Sequence, residues 1–365
     1  MVMGTENRIV MTLDAGGTNL VFSAIRNGRE VATPVRFPSV VDDLEGCLCT
    51  LRTGFETVRR QLADEPVAIS FAFPGPADYR AGVMGDLPNF PAFRGGVALG
   101  PFLENHFGMP VFINNDGNLF AYGEAKVGLL PEINARLEAS GSSRRYLNLI
   151  GVTLGTGFGC GVVVNGELLL GDNQVGGDLW CLRNRRYPEY IVEESVSVRS
   201  IKRVYARLSG DASILTPKTI FDIAEGLEPG NREAARSAFA EMGEMAGEAI
   251  AAALTLVDGL VVIGGGLSGA AKYILPALMA TLREQVGMMD GSRFDRLQMT
   301  PFNLEEPAEM AAFLKPTGGR VHVPGTNRWV NYDIGRRTGI ALSKLGASRS
   351  IAMGAYLFAL NELDK

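Results

Sequence analysis

Apolar positions along the chain follow two periods, and the alternation between them sets out the elements. Leu44, Leu48, Leu51, Phe55, Val58 and Leu62 fall at helical spacing, and the apolar run VAISFAF (67–73) follows before Pro74-Gly75-Pro76 stops it. This predicts a helix feeding a strand. PVFINNDGN (110–118) reads as a short strand ending in polar residues, with a helix over Leu119–Val127 after it. Downstream, Phe239, Met242, Met245, Ala249, Ile250 and Leu254 mark one face of a long helix over Ala234–Val257. GLVVIGGG (259–266) then reads as a buried strand closed by three glycines, Tyr273–Val286 as a helix, and Ser350–Leu363 as an amphipathic last helix that can return to the first half. Phe294–Arg337 shows no clear period and reads as a lid, an oligomer arm or a decorated connection.

Two stretches share a more specific pattern. IVMTLDAGGTNLVFSAIRNGREV (9–31) and LNLIGVTLGTGFGCGVVVNGELLL (147–170) each run apolar strand, glycine turn, apolar strand, Asn-Gly turn, strand. Neither carries G-x-G-x-x-G or G-x-x-x-x-G-K-[ST], and β-branched and aromatic residues follow the first glycines where those fingerprints need a helix. The copies lie too far apart for a solenoid or propeller repeat, so they point to two duplicated α/β halves that each open with a hairpin. Backbone N–H groups approach phosphate closely only where side chains are absent, so glycines with Thr18 and Thr156 beside them suit a polyphosphate clamp. The plainer alternative is a pair of ordinary tight turns.

Composition narrows the partners. At 365 residues, with 46% hydrophobic and 21% charged positions, the chain suits two domains of a soluble globular protein. A net charge of −5 and a pI near 5.4, with no basic run longer than Arg185-Arg186 or Arg336-Arg337, argue against nucleic acid and for a small-molecule partner. Met1–Asn7 lacks the features of a signal peptide, and Asp258 and the glycine run interrupt the apolar stretch 249–271, so the expectation is a cytoplasmic protein with no membrane partner. Cys47, Cys49, Cys160 and Cys181 read as structural thiols rather than a disulfide framework.

Seven segments together carry a family resemblance: LDAGGTN (13–19), FPGPAD (73–78), LPNFPAFRGG (87–96), NNDGN (114–118), LGTGFGCGVVVNGEL (154–168), VVIGGG (261–266) and SIAMGAYLFAL (350–360). In this order they resemble the ROK family of sugar kinases and sugar-responsive repressors, within the actin-like ATPase superfamily. The resemblance runs from Ile9 to Leu363 and leaves residues 290–335 poorly matched. It implies an α/β fold of two actin-like (ribonuclease H-like) domains with a ligand cleft between them, residues 1–117 plus 345–365 forming the smaller and 118–344 the larger. It further implies ATP and Mg²⁺ as cofactors, a sugar substrate and a homodimer. Asp14, Gly16, Gly17, Thr18 and Asn19 match the first phosphate loop, with Asp14 near Mg²⁺; Gly155, Thr156 and Gly157 match the second; Gly264, Gly265 and Gly266 match the adenosine-side turn. Asn89, Asn115 and Asp116 match the sugar contacts, and Asp116 the catalytic base. The chemistry agrees, because phosphoryl transfer asks for a charge-neutralising clamp and one carboxylate to take the attacking hydroxyl's proton. The structural alternative for Asp116 is a helix N-cap, and the two roles can coexist.

The chain departs from the family in VGGDLWCLRNRRYPEYIVEESVS (175–197). The family's pattern there is Gly-Glu-x-Gly-His followed by a cysteine-rich zinc loop ending in a sugar-binding Glu. Asp178 stands at the Glu, Trp180 at the second Gly and Cys181 at the His, while Glu193 and Ser197 keep the spacing of the terminal Glu and Ser. Asp178 and Glu193 are therefore the expected sugar ligands in this segment. No structural zinc is expected; in its place Trp180, Leu182, Tyr187, Tyr190, Ile191 and Val192 offer bulk to pack the loop. The resulting expectation is an ATP-dependent, glucokinase-like hexose kinase acting on the 6-hydroxyl. The alternatives are a kinase for N-acetylmannosamine, N-acetylglucosamine, fructose or allose, or a non-catalytic sugar-responsive regulator. A regulator needs a DNA-binding helix pair ahead of the first strand, for which about eight residues are too few.

Overall fold

The computed structural model describes residues 6–15, 19–86 and 91–365. The chain forms two compact units, one of residues up to Val127 with Leu170–Gly176 and Leu345–Lys365, the other of Gly128–Leu169 and Gly177–Lys344. Each contains a sheet built to the same plan. In the first unit Ile9–Ala15 pairs antiparallel with Asn19–Arg26, which turns back into Arg29–Glu30; on its other side Ile9–Ala15 runs parallel to Ala68–Ala72, and that strand parallel to Val111–Asn114. In the second unit Leu149–Leu154, Phe158–Val164 and Glu167–Leu168 repeat the antiparallel part, while Leu260–Gly264, Arg337–Leu342 and Thr300–Asn303 extend the parallel part.

The repeat is set locally by the two Asn-Gly turns. Asn27 and Gly28 take φ of 50° and 72°, and Asn165 and Gly166 take 53° and 82°. Positive φ at both central residues is the type I′ geometry, whose twist matches that of the flanking strands. Asn and Gly tolerate it at least cost, which is why the pair reads so clearly in sequence.

Helical faces read from the sequence are buried. Helix Leu44–Arg59 sends Leu51, Phe55 and Val58 into the first core, where the Phe55 ring meets Phe22 edge-to-face at 5.0 Å. Helix Arg232–Leu256 buries Phe239, Met242, Met245, Ile250 and Leu254 in the second core and packs along helix Ala271–Leu282. The stretch 294–337 lacks a period because it holds several short elements: strand Thr300–Asn303, helix Pro307–Leu314 and a hairpin of Gly318–His322 with Trp329–Asp333. Nearly every hairpin residue is exposed, so neither face imposes alternation. Among the described residues no helix is long and apolar enough to cross a membrane.

The first unit ends at Val127, beyond the boundary expected at residue 117, because helix Asp116–Val127 packs on the returning helix Ala347–Leu363. The two cross through glycines. A Cβ on Gly123 would overlap the Ser350 carbonyl oxygen, and one on Gly354 would overlap that of Leu119. Beside the crossing, the buried Ser350 hydroxyl donates to Glu124 Oε1 at 2.6 Å. Leu170–Gly176 also joins this unit, with Gln174 Oε1 accepting from Arg80 N (2.8 Å) and Gln174 Nε2 donating to Asp78 Oδ1 (3.0 Å).

Gly354→Ala sets a methyl group against backbone that cannot swing aside, so we expect a loss of about 1–3 kcal/mol. Denaturant titration will read it as a lower midpoint at unchanged m-value.

Candidate active site

Three parallel strands of the first unit end on one edge, and this edge gathers the polar residues singled out in the sequence. Asp14 lies near the end of Ile9–Ala15, and Ala72 and Asn114 end the neighbouring strands. The carboxyl edge of parallel strands is where open α/β sheets hold ligands. Asn114, 2% exposed, fixes the corner between strand and helix: its Oδ1 accepts from Asn115 N at 2.8 Å and from Asn118 Nδ2 at 2.9 Å.

Asn115, not Asp116, takes the N-cap position. Its carbonyl accepts from Leu119 N at 3.1 Å and its Oδ1 from Gly117 N at 2.8 Å. Asp116 begins the helix, and its Oδ1 also accepts from Gly117 N at 2.8 Å. Solvent still reaches Asp116, yet protein fills most of the space around its carboxylate. The second fact governs its electrostatics. Desolvation raises its pKa above the ordinary aspartate value, against the lowering effect of the Gly117 N–H and its own N–H. Asn19 opens the second strand, opposite Pro38. Gly16, Gly17, Thr18 and Asn89 lie outside the described residues.

The second unit joins its two glycine segments directly. Leu149–Leu154 and Leu260–Gly264 are parallel neighbours with Thr153 opposite Gly264. Gly265, at φ 90°, lies so close that a Cβ there would overlap the backbone of Leu154. Gly264 and Gly265 thus sit flush against the strand that opens into Gly155, Thr156 and Gly157, and Gly266 follows in open space. Thr156 at the tip is exposed.

Sequence reasoning missed how closely Glu193 is tied to this turn. Its Oε2 accepts from Phe158 N at 2.9 Å, its Oε1 accepts from Arg199 Nη2 at 3.0 Å, and a Cβ on Gly157 would stand 2.7 Å from Oε2. Gly155 is held from the other side, its carbonyl accepting from Val198 N at 2.9 Å. Nothing in the spacing of residues 157 and 193 announces this contact, since it is made by tertiary structure alone.

Asp178 is half-buried, and burial raises its pKa while Trp180 opposes the shift. The exposed Cys181 thiol donates to the Asp178 carbonyl oxygen at 3.0 Å. The expectation that aromatic bulk packs this segment needs correction, because Trp180 is 40% and Tyr190 62% exposed, although Val192 is buried. Asn184 does the holding instead; it is fully buried, and its amide bonds within the loop. No three His, Cys, Asp or Glu side chains among the described residues gather closely enough to hold a metal ion.

Two sheets of one plan, each ending in polar or glycine-rich turns at the carboxyl edge of its parallel strands, define the actin-like α/β fold. The chain belongs to the ROK family, which it matches over residues 10–294. It is similar to the glucokinase of Thermotoga maritima, 26% identical over 304 residues that cover 75% of this chain and 86% of that one. The N-acetyl-D-glucosamine kinase of Vibrio atlanticus is 32% identical over 170 residues, 47% of this chain and 51% of its own. Among solved structures, a glucokinase from Parabacteroides distasonis superposes with a TM-score of 0.91 at 63% identity over 99% of each chain. A ROK family glucokinase from Streptomyces griseus, solved with glucose and AMPPNP, shares the fold at 18% identity and a TM-score of 0.60 over 96% of this chain and 98% of that one.

The glycines of the turn separate into two kinds. No atom lies within 4 Å of a Cβ built on Gly155, whereas one on Gly157 meets the anchored Glu193 carboxylate. Gly155→Ala should therefore change stability by less than about 0.5 kcal/mol. Gly157→Ala should lose the Phe158–Glu193 hydrogen bond and about 0.5–1.5 kcal/mol with it. Paired urea titrations of the two variants check the difference.

Proposed function

We propose that this protein transfers the γ-phosphate of ATP to the 6-hydroxyl of glucose, with Asp116 as the general base. Its class is not in question: the chain is an ATP-dependent sugar kinase of the ROK family. The choice of glucose rests on the glucokinase at 63% identity, and the N-acetylglucosamine kinases among the relatives make that sugar the chief competitor.

The observation that carries the mechanism is the setting of Asp116. An accessible carboxylate with a raised pKa is a stronger base than a solvated one. As the sugar hydroxyl attacks phosphorus, its proton passes to a carboxylate oxygen of Asp116 and the bond from the γ-phosphorus to the bridging oxygen of ADP breaks. Asn115, with its Oδ1 committed to the helix cap, would offer the sugar its amide N–H₂. Asp178 and Glu193 supply acceptors for sugar hydroxyls, with Asn89 as a further ligand. Residues Gly16–Thr18 and the Gly155–Gly157 turn would hold the phosphates, and Gly264–Gly266 the adenosine side. Asp14, exposed near the end of strand Ile9–Ala15, would hold Mg²⁺ together with the ATP phosphates. Hydrated Mg²⁺ takes one or two carboxylates plus phosphate oxygens, which fits a single exposed Asp better than a protein cage would. When bound, the ion neutralises phosphate charge. The working form is proposed to be a homodimer.

Asp116→Asn keeps size and hydrogen bonding but cannot take the proton, so kcat should fall about 10²–10⁴-fold while sugar still binds. In the wild type the acid limb of kcat/KM should lie above the ordinary aspartate range, and Asp116→Asn should remove it. Near-native turnover in that variant would overturn the assignment. A coupled ADP-release assay over a panel of hexoses decides the sugar: glucose is expected to give the highest kcat/KM, and a higher value for N-acetylglucosamine would replace it. The phosphate role of the second turn is tested by Gly155→Ala, in which ATP KM should rise with stability unchanged.

A further inference from the structure

The segment 175–197 reaches the glycine turn through one side chain, and a one-turn helix carries the contact. Glu193 sits in the middle of helix Val192–Glu194, with Ile191 as its N-cap and Ser195 as its C-cap. Three residues cannot hold a helix by themselves, since nucleation fixes several dihedral angles for a single hydrogen bond. Both cap residues are gripped by the same amide. Asn184 Nδ2 donates to the Ile191 carbonyl oxygen at 3.3 Å and to Ser195 Oγ at 2.8 Å. Its Oδ1 accepts from Arg186 N and Tyr187 N, each at 3.0 Å, so both donors and both lone pairs are used.

This grip is anchored in turn. Arg186 Nη1 and Tyr187 Oη donate to the two carboxylate oxygens of Glu241, at 2.8 and 3.2 Å, and Glu241 is a nearly buried residue of helix Arg232–Leu256. Asn184 N donates to the Tyr190 carbonyl and Val192 N to the Leu182 carbonyl, which lace the two sides of the loop together. The long core helix is therefore tied through Arg186 and Tyr187 to Asn184, Asn184 to both caps of the short helix, and Glu193 within that helix to the Phe158 amide.

We propose that Asn184 is a positioning residue for the reaction: by clamping both ends of the helix Val192–Glu194 it fixes the Glu193 carboxylate against the turn Gly155–Phe158. The effect on substrate rests on the reading of Glu193 as a sugar ligand, whereas the geometric effect does not. Asn184→Asp keeps the acceptor and replaces the donating N–H₂ with oxygen facing an acceptor carbonyl, so it releases the clamp at little change in volume.

The test measures amide hydrogen exchange at Phe158 together with the KM for sugar. In Asn184→Asp, exchange at Phe158 should quicken about tenfold or more relative to amides inside strand Leu149–Leu154, because the Glu193 acceptor is no longer held. The KM for sugar should rise about tenfold in Asn184→Asp, and much less when the same change is made on Glu193→Gln, since the two residues act in series. Fully additive effects with Phe158 exchange unchanged would overturn the proposal. Faster Phe158 exchange with no change in sugar KM in Glu193→Gln would uphold the clamp but overturn its role in the reaction, since Glu193 would then not be a sugar ligand. If Asn184→Asp does not fold, Ser195→Ala removes one arm of the clamp; faster Phe158 exchange then supports the proposal and unchanged exchange overturns it.

Discussion

The absence of a Cβ at a few positions is the constraint on which the placement of functional groups in this protein depends. Helices Asp116–Val127 and Ala347–Leu363 approach as closely as backbone allows only because residues 123 and 354 are glycine. That contact holds the helix whose first residue is the proposed base. In the second unit the same device seats Gly265 against Leu154, and Gly157 leaves room for the Glu193 carboxylate. Helical glycine costs about 1 kcal/mol relative to alanine, so the sequence gives up intrinsic helix stability in exchange for close approach. The close approach then converts rigid core packing into the position of a side chain at the edge.

Placing groups this way leaves polar atoms away from water, and the chain answers with buried amide side chains. Asn114 holds the strand–helix corner through two hydrogen bonds, and Asn184 holds its loop through four. An amide suits these corners because it donates and accepts without carrying charge into a desolvated place. Glu193 is charged, and it is met by a backbone N–H on one oxygen and a guanidinium on the other. The loop that departs most from the family's pattern is therefore ordered by hydrogen bonds distributed along it, where aromatic packing had been the natural expectation.

What could be read from sequence follows from the range over which each signal acts. The Asn-Gly turns and the stripes of Leu51, Phe55 and Val58 or Phe239, Met242 and Met245 are local, so the hairpins, the long helices and the doubled plan were legible. Asp116 was legible as a carboxylate at a strand end, but its cap role was assigned one residue too late, because Asp and Asn are near equal as caps and only geometry separates them. The unit boundary was misplaced because nothing in NNDGN tells which core its helix joins; the answer lies in Gly354, far along the chain. Asn184 carried no signal at all. Two of its partners are backbone amides close by, as for any Asx turn, and the others, at 191 and 195, depend on how the loop folds back.

The raised pKa of Asp116 joins stability to function. A carboxyl group whose pKa is higher in the folded state than in the unfolded chain favours folding while it is protonated, and that contribution is lost as pH rises through the folded-state value. Above that value the ionised Asp116 opposes folding. The surrounding protein must hold a charge it has partly stripped of water, and the helix that begins with that residue is fixed by its glycine-tight packing against Ala347–Leu363. The glycines at 123 and 354 thus bear on the placement of the proposed base as well as on the fold, although neither is among the residues proposed to touch sugar or nucleotide.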